Sequence, residues 1–67
     1  MTVKIDTEFI KLDALLKYTG MCSTGGEAKH DIGMGFVRVN GNICTQRGKK
    51  LRPGDIILFR QEEIAIE

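Results

Sequence analysis

Nowhere does this 67-residue chain hold the roughly 18 consecutive apolar residues that a membrane-spanning helix needs. Its first residues, MTVKIDTEF, put Asp6 and Glu8 where a secretory leader would require an apolar run. A cytoplasmic protein without a membrane anchor is expected. Cysteine is scarce: Cys22 and Cys44 are too few and too far apart for a disulfide framework or a Cys-x-x-Cys metal site, which leaves two free, partly buried thiols. His30 is the sole histidine, so neither a multi-histidine metal centre nor a histidine relay can be built. Neither a metal nor a cofactor is expected.

The ingredients of catalysis are also missing in usable form. A chain of this size buries only about 60% of its unfolded surface and has little room for a deep reaction cavity. Ser23 and His30 are separated by roughly 10 Å of helical rise, too far for a hydrogen-bonded nucleophile and base. Glu62 and Glu63 are adjacent, and on a strand they would point to opposite faces. The glycines at 25, 26, 33 and 35 lack the Gly-Lys-Ser/Thr ending of a phosphate loop, and Gly33-Met34-Gly35 does not follow a strand. The chain reads as a non-enzyme with no small-molecule substrate.

Acidic residues are absent from one long segment, and this absence is informative. The formal net charge is only +1. Residues 1–52, however, carry nine Lys/Arg against five Asp/Glu, while residues 53–67 carry one Arg against four acids. Between Arg38 and Arg52 stand Arg38, Arg47, Lys49, Lys50 and Arg52 with no acid among them. Such a run is either a solvated loop or a polyanion patch, because a local basic surface attracts phosphate even on a nearly neutral molecule.

Hydrophobic residues make up 42% of the chain, enough for a folded domain, and residues 1–67 are expected to form a single one. Val3 and Ile5 alternate with polar neighbours, predicting an edge strand. Leu12, Leu15, Leu16 and Thr19 predict a helix closed by Gly20, with Lys11, Asp13 and Lys17 outward and an Asp13–Lys17 pair at i, i+4. Thr24 and Glu27 have capping-box spacing and open a second helix with an Ala28/Ile32 stripe, ended by Gly35. The alternation FVRVNGNICT then predicts a hairpin around Asn40-Gly41, of open register. The basic residues and Gly48 form a loop, Pro53-Gly54 a turn, IILF at 56–59 a buried strand, and Ile64 and Ile66 a last strand. Met21 and Met34 are expected in the core, with Tyr18 and Phe36 as the exposed rings.

The helix glycines need a reason, since each costs up to about 1 kcal/mol relative to alanine. Gly26, Lys29 and Gly33 share the face opposite Ala28 and Ile32, with His30 beside them. That bare face suits a phosphate backbone approaching the helix N-terminus. It equally suits tight packing within the protein, or glycine merely tolerated.

The ordered motifs Lys11-Leu12-Asp13, Ser23-Thr24 with Ala28 and Ile32, Gly35-x-Val37-x-Val39-Asn40-Gly41 and Pro53-Gly54-Asp55-x-Ile57 resemble the S-four RNA-binding domain. This domain occurs in ribosomal small-subunit protein four, pseudouridine synthases and tyrosyl-tRNA synthetases, and the short chain is similar to the stand-alone YbcJ/YaaA-like bacterial proteins. The resemblance covers residues 11–59. It implies an α+β fold, a two-helix αL-type RNA-binding motif packed on a small antiparallel sheet, with RNA across the second helix and hairpin. It implies Lys11, Thr24, Lys29, Arg38 and Asn40 on the RNA face. Many members carry arginines after the helix-opening Ser or Thr, whereas this chain has Gly25 and Gly26, which moves the expected charge to Arg47, Lys49, Lys50 and Arg52.

The candidate RNA-binding residues are therefore Lys11, Thr24, Gly25, Gly26, Lys29, His30, Arg38, Asn40, Arg47, Lys49, Lys50 and Arg52. The expected function is non-catalytic binding of structured RNA, such as ribosomal RNA or an assembly intermediate, by a monomer. Few exposed aromatics favour backbone and shape recognition over base stacking. The rival is a protein-interaction module whose sheet edge or acidic tail docks a partner.

Overall fold

Helical spacing of leucines produces α1 (Leu12–Tyr18) in the computed structural model, which describes residues 1–67. Leu12, Leu15 and Leu16 are all fully buried, and Gly20 follows at φ +79, the left-handed position that glycine occupies without a Cβ penalty. The Asp13–Lys17 pair does not form. The Asp13 carboxylate instead accepts from the Ala14 N–H at 2.8 Å.

The second helix, α2 (Gly25–Gly33), uses half of its capping box. Thr24 Oγ1 accepts from the Glu27 N–H at 3.1 Å, while the Glu27 carboxylate turns away to Arg60. Ala28 and Ile32 are buried as expected, Asp31 joins them, and Gly35 lies beyond the C-cap at φ +80.

Around the helices run β1 (Thr2–Val3), β2 (Ile10–Lys11), β3 (Val37–Val39), β4 (Asn42–Ile43), β5 (Lys50–Leu51), β6 (Ile56–Phe59) and β7 (Glu62–Ile66). One sheet has the order β1-β7-β6-β3-β4 and is antiparallel except where β1 joins β7 in parallel. No hairpin links those two strands, so nothing forces them to oppose. The expected α+β architecture of two helices on a small sheet is present, with that one parallel edge added. A separate two-stranded ribbon pairs β2, where the sequence presents the start of the first helix with Lys11 on it, with β5, where it presents loop.

The Asn40-Gly41 hairpin takes the tightest register available, Val39 opposite Asn42 and Arg38 opposite Ile43. Both turn residues have positive φ, 51 and 86, as a type I′ turn demands. The β6–β7 hairpin makes the same kind of turn from Arg60 and Gln61, at φ 53 and 63. No Asn-Gly announces it, and Arg60 holds its strained backbone through the side-chain bonds described below.

Alternation assigns the sheet two unlike faces. Val3, Val37, Val39, Ile57, Phe59, Ile64 and Ile66 point inward and join the helix residues, Leu51 and Cys22 in one core cluster. IILF is therefore only half buried: Ile57 and Phe59 are inside, whereas Ile56 and Leu58 lie on the outer face, which no element covers. Met21 packs against the core, but Met34, at the α2 C-cap, is 58% exposed rather than a core filler. Both cysteines are free, Cys22 buried and Cys44 half-buried. Tyr18 and Phe36 are exposed.

Ile57→Val should lower stability by about 1 kcal/mol and Ile56→Val by less than about 0.5 kcal/mol in urea unfolding. Equal losses would show that the outer face is covered after all.

Candidate nucleic-acid interface

The basic segment is built by backbone chemistry. Helix α1 begins at Lys11 without a side-chain cap, and its first free amides are met by the loop: Leu12 N–H donates to the Lys49 carbonyl at 2.9 Å and Asp13 N–H to the Arg47 carbonyl at 3.1 Å. The β2–β5 ribbon sets Lys11 directly opposite Lys50. Two like charges facing each other across strands oppose folding, yet no acid intervenes. Lys50 Nζ and the Arg52 guanidinium also share the Phe9 ring, 4.9 and 5.8 Å from its centre. Lys11, Arg47, Lys49, Lys50 and Arg52 are thus gathered at the start of α1. All five are exposed, and none enters an ion pair.

Arg52 is fixed by a second device. Its N–H donates to Asp55 Oδ2 at 2.9 Å, and Asn40 Nδ2 donates to Asp55 Oδ1 at 3.0 Å. Asn40 Oδ1 accepts from the Ile56 N–H at 2.9 Å, and its N–H donates to the Ile56 carbonyl. The Asn-Gly and Pro-Gly-Asp motifs, far apart in sequence, are one hydrogen-bonded unit. The Arg52 N–H, then the Asn40 amide, hold the Asp55 carboxyl below the ordinary carboxylate range.

On α2, Thr24 is occupied as the cap, while Gly25, Gly26, Lys29, His30 and Gly33 are all exposed. A Cβ built at Gly25 or Gly33 would meet nothing within 4 Å, and at Gly26 only the Thr24 hydroxyl at 3.9 Å. Packing within the chain therefore does not explain the bare face. The Gly25 and Gly26 amides donate to no protein group. His30 Nδ1 lies 3.2 Å from Asp31 Oδ1.

Arg38 stands on the outer face of the sheet, between Ile43 and Leu58, with its guanidinium toward the Gly41 carbonyl at 3.4 Å. The twelve expected site residues thus fall into three groups: the α1 start, the exposed side of α2, and β3 with its turn. Hydrogen bonds tie the first to Asn40 of the third, but no hydrogen bond or ion pair joins the α2 group to the basic loop.

Two residues that sequence reasoning missed organise this arrangement. Phe9 is one, half-buried beneath two cations. Arg60 is the other: it donates to the Met21 carbonyl at 2.6 Å, to Asp31 Oδ2 at 2.9 Å and to Glu27 Oε1 at 3.3 Å, with its guanidinium over the Phe59 ring. No local pattern marks Phe9, and Arg60 differs from its fellow cations only in following a strand. The Cys22 sulfur and the Glu27 and Asp31 carboxylates lie within 4.8 Å of one another, a metal-like grouping, but the guanidinium already supplies the positive charge there. Burial, reinforced by Glu27, raises the Cys22 thiol and disfavours the thiolate a metal would need.

A helix pair on one face of a small, nearly antiparallel sheet, with cations clustered at a helix start, defines a small α+β module. The chain belongs to the S4 domain family, whose model matches residues 3–67. It is also 38% identical over 55 residues to the "Probable ribosome maturation protein RlbA" of Bacillus subtilis (strain 168), covering 82% of this chain and 78% of that one.

Asp55→Asn removes the charge that two N–H groups address and should cost about 1 kcal/mol near neutral pH. Because the folded-state pKa is depressed, the carboxylate stabilises the fold above its unfolded value, and this contribution fades as pH falls through the carboxylate range. The gap between Asp55→Asn and the parent should therefore narrow on acidification in urea melts. Arg60→Lys keeps the charge but loses the fork, and a lower urea midpoint at unchanged slope is expected.

Proposed function

We propose that the chain binds structured RNA without catalysing a reaction, and that ribosomal RNA or a ribosome-assembly intermediate is the target. One observation carries this: five exposed cations, Lys11, Arg47, Lys49, Lys50 and Arg52, are held together without an ion pair to any of the nine acids in the chain. A phosphate backbone would supply the counter-charge that no ion pair within the chain supplies. Family membership and the ribosome-maturation relative support the same ligand. The bare face of α2, with the open amides of Gly25 and Gly26 and the flanking Lys29 and His30, adds a second contact that admits a phosphate close to the helix axis. Arg38 and Asn40 extend the surface onto the hairpin. The cytoplasm, where ribosomes mature, is the compartment this function requires.

A protein partner is the second reading, because the outer sheet face exposes Phe36, Ile43, Ile56 and Leu58 together. The acidic tail itself is not free to dock by its edge, since β7 lies between β1 and β6.

If about four of the cations neutralise phosphates, log affinity for ribosomal RNA should fall against log salt with a slope of roughly −3 to −4 in filter binding. The Lys49→Glu, Lys50→Glu double variant should lose most RNA retention while unfolding like the parent. A flat salt response, or undiminished retention by the variant, would sink the proposal and favour the sheet-face partner.

A further inference from the structure

The surface holds one depression of ligand size, about 390 Å³, between the β3–β4 hairpin and the loop that follows it. This lies within the range of about 300 to 1,000 Å³ usual for small-ligand sites. Its apolar contribution comes from Val39, Ile43 and Cys44, and its polar contribution includes Asn42, Thr45, Gln46 and Lys49. Asn40 and Asp55 also border it, but their polar groups are spent on each other, on Arg52 and on Ile56. The side chains of Asn42, Thr45, Gln46 and Lys49 hydrogen-bond to nothing in the protein and make no ion pair. Two free amides, a hydroxyl and an ammonium therefore rim an apolar patch, immediately beside Arg47 and Lys50.

We infer that this depression receives a single unstacked nucleobase of the bound RNA. The chemistry is matched part by part. A base has an apolar face, which exposed Ile43 would meet, and an edge with adjacent donors and acceptors, which a carboxamide pairs with two at a time. Lys49 stands where the same nucleotide's phosphate would emerge. Unpaired bases in loops and bulges are the part of RNA that proteins read by their edges. The inference rests on the RNA reading above but adds a recognition element to it: the loop cations grip the backbone, and the hairpin pocket selects an unpaired residue in it. A carboxamide can match more than one base, so the pocket asks for an extruded base rather than for one identity.

The test compares two stem-loop RNAs that share stem, length and phosphate number, one with an adenosine loop and one whose loop nucleotides are abasic. The adenosine loop should bind the parent protein about tenfold more tightly, the worth of one well-placed base contact. The side-chain NH₂ resonances of Asn42 and Gln46 should shift on titration with it and stay still with the abasic twin. The Asn42→Ala, Gln46→Ala variant removes only exposed, unbonded amides, so it should fold like the parent and bind both RNAs with the abasic affinity. Equal affinities of the parent for the two stem-loops, with unmoved Asn42 and Gln46 resonances but shifting loop backbone amides, would overturn the pocket and leave backbone binding standing. Binding of neither stem-loop at low salt would count against both.

Discussion

The Asn40 carboxamide and the Asp55 carboxylate hold each other across fifteen residues of chain, and that contact joins the β3–β4 hairpin to the Arg52 end of the basic segment. Asn40 can serve because its backbone accepts the left-handed turn, and its side chain then reaches the Pro-Gly-Asp turn in both directions, donating to Asp55 and accepting from Ile56. Asp55 in turn fixes the Arg52 backbone. Without this lock the β3–β4 hairpin and the segment leading back from the β2–β5 ribbon would be joined only through β6. With it, the hairpin turn, Arg52 and the border of the depression are hydrogen-bonded to one another. Such ordering matters for any contact this surface makes, because a preordered side chain loses less entropy on binding.

Arg60 performs the corresponding task on the opposite side. Its guanidinium reaches from the β6–β7 turn to the α1–α2 linker, to Glu27 and to buried Asp31. Sheet and second helix are thereby pinned at a point where the apolar core has ended. It also accounts for Asp31, the one charged residue in the buried set, whose only other side-chain partner is His30. The cations thus divide by role. One is consumed by structure, and the clustered five make no ion pair.

Much of the fold was legible in the sequence because its signals are local. The leucine spacing, the Thr24 cap, the terminal glycines and Asn40-Gly41 each act within a few residues, and helices and hairpin stand where those signals put them. What was not legible depends on contacts distant in the chain. The β2–β5 ribbon pairs segments about forty residues apart and is only two residues long, too short to show a period. The Arg60–Gln61 turn lacks glycine, so it carries no mark of its backbone conformation. Ile56 and Leu58 read as core because an apolar run does not say how many faces of its sheet will be covered. For the site, residue type identified the cations and glycines, but not their grouping. Lys49 and Arg47 are placed by their carbonyls, and carbonyls are the same in every residue.

The open face of α2 has an electrostatic consequence. Coulomb attraction rises as the inverse of separation, and the partial positive charge of a helix N-terminus is confined to its first turn. A side chain at position 25 or 26 would hold an anion away from that turn by the thickness of a methyl group or more. Glycine at both places, with empty space beyond them, sets the smallest approach distance a polypeptide helix can offer. The same pair that weakens the helix as a folding unit therefore makes its dipole most accessible from outside, so that local stability and ionic reach are exchanged at a single site.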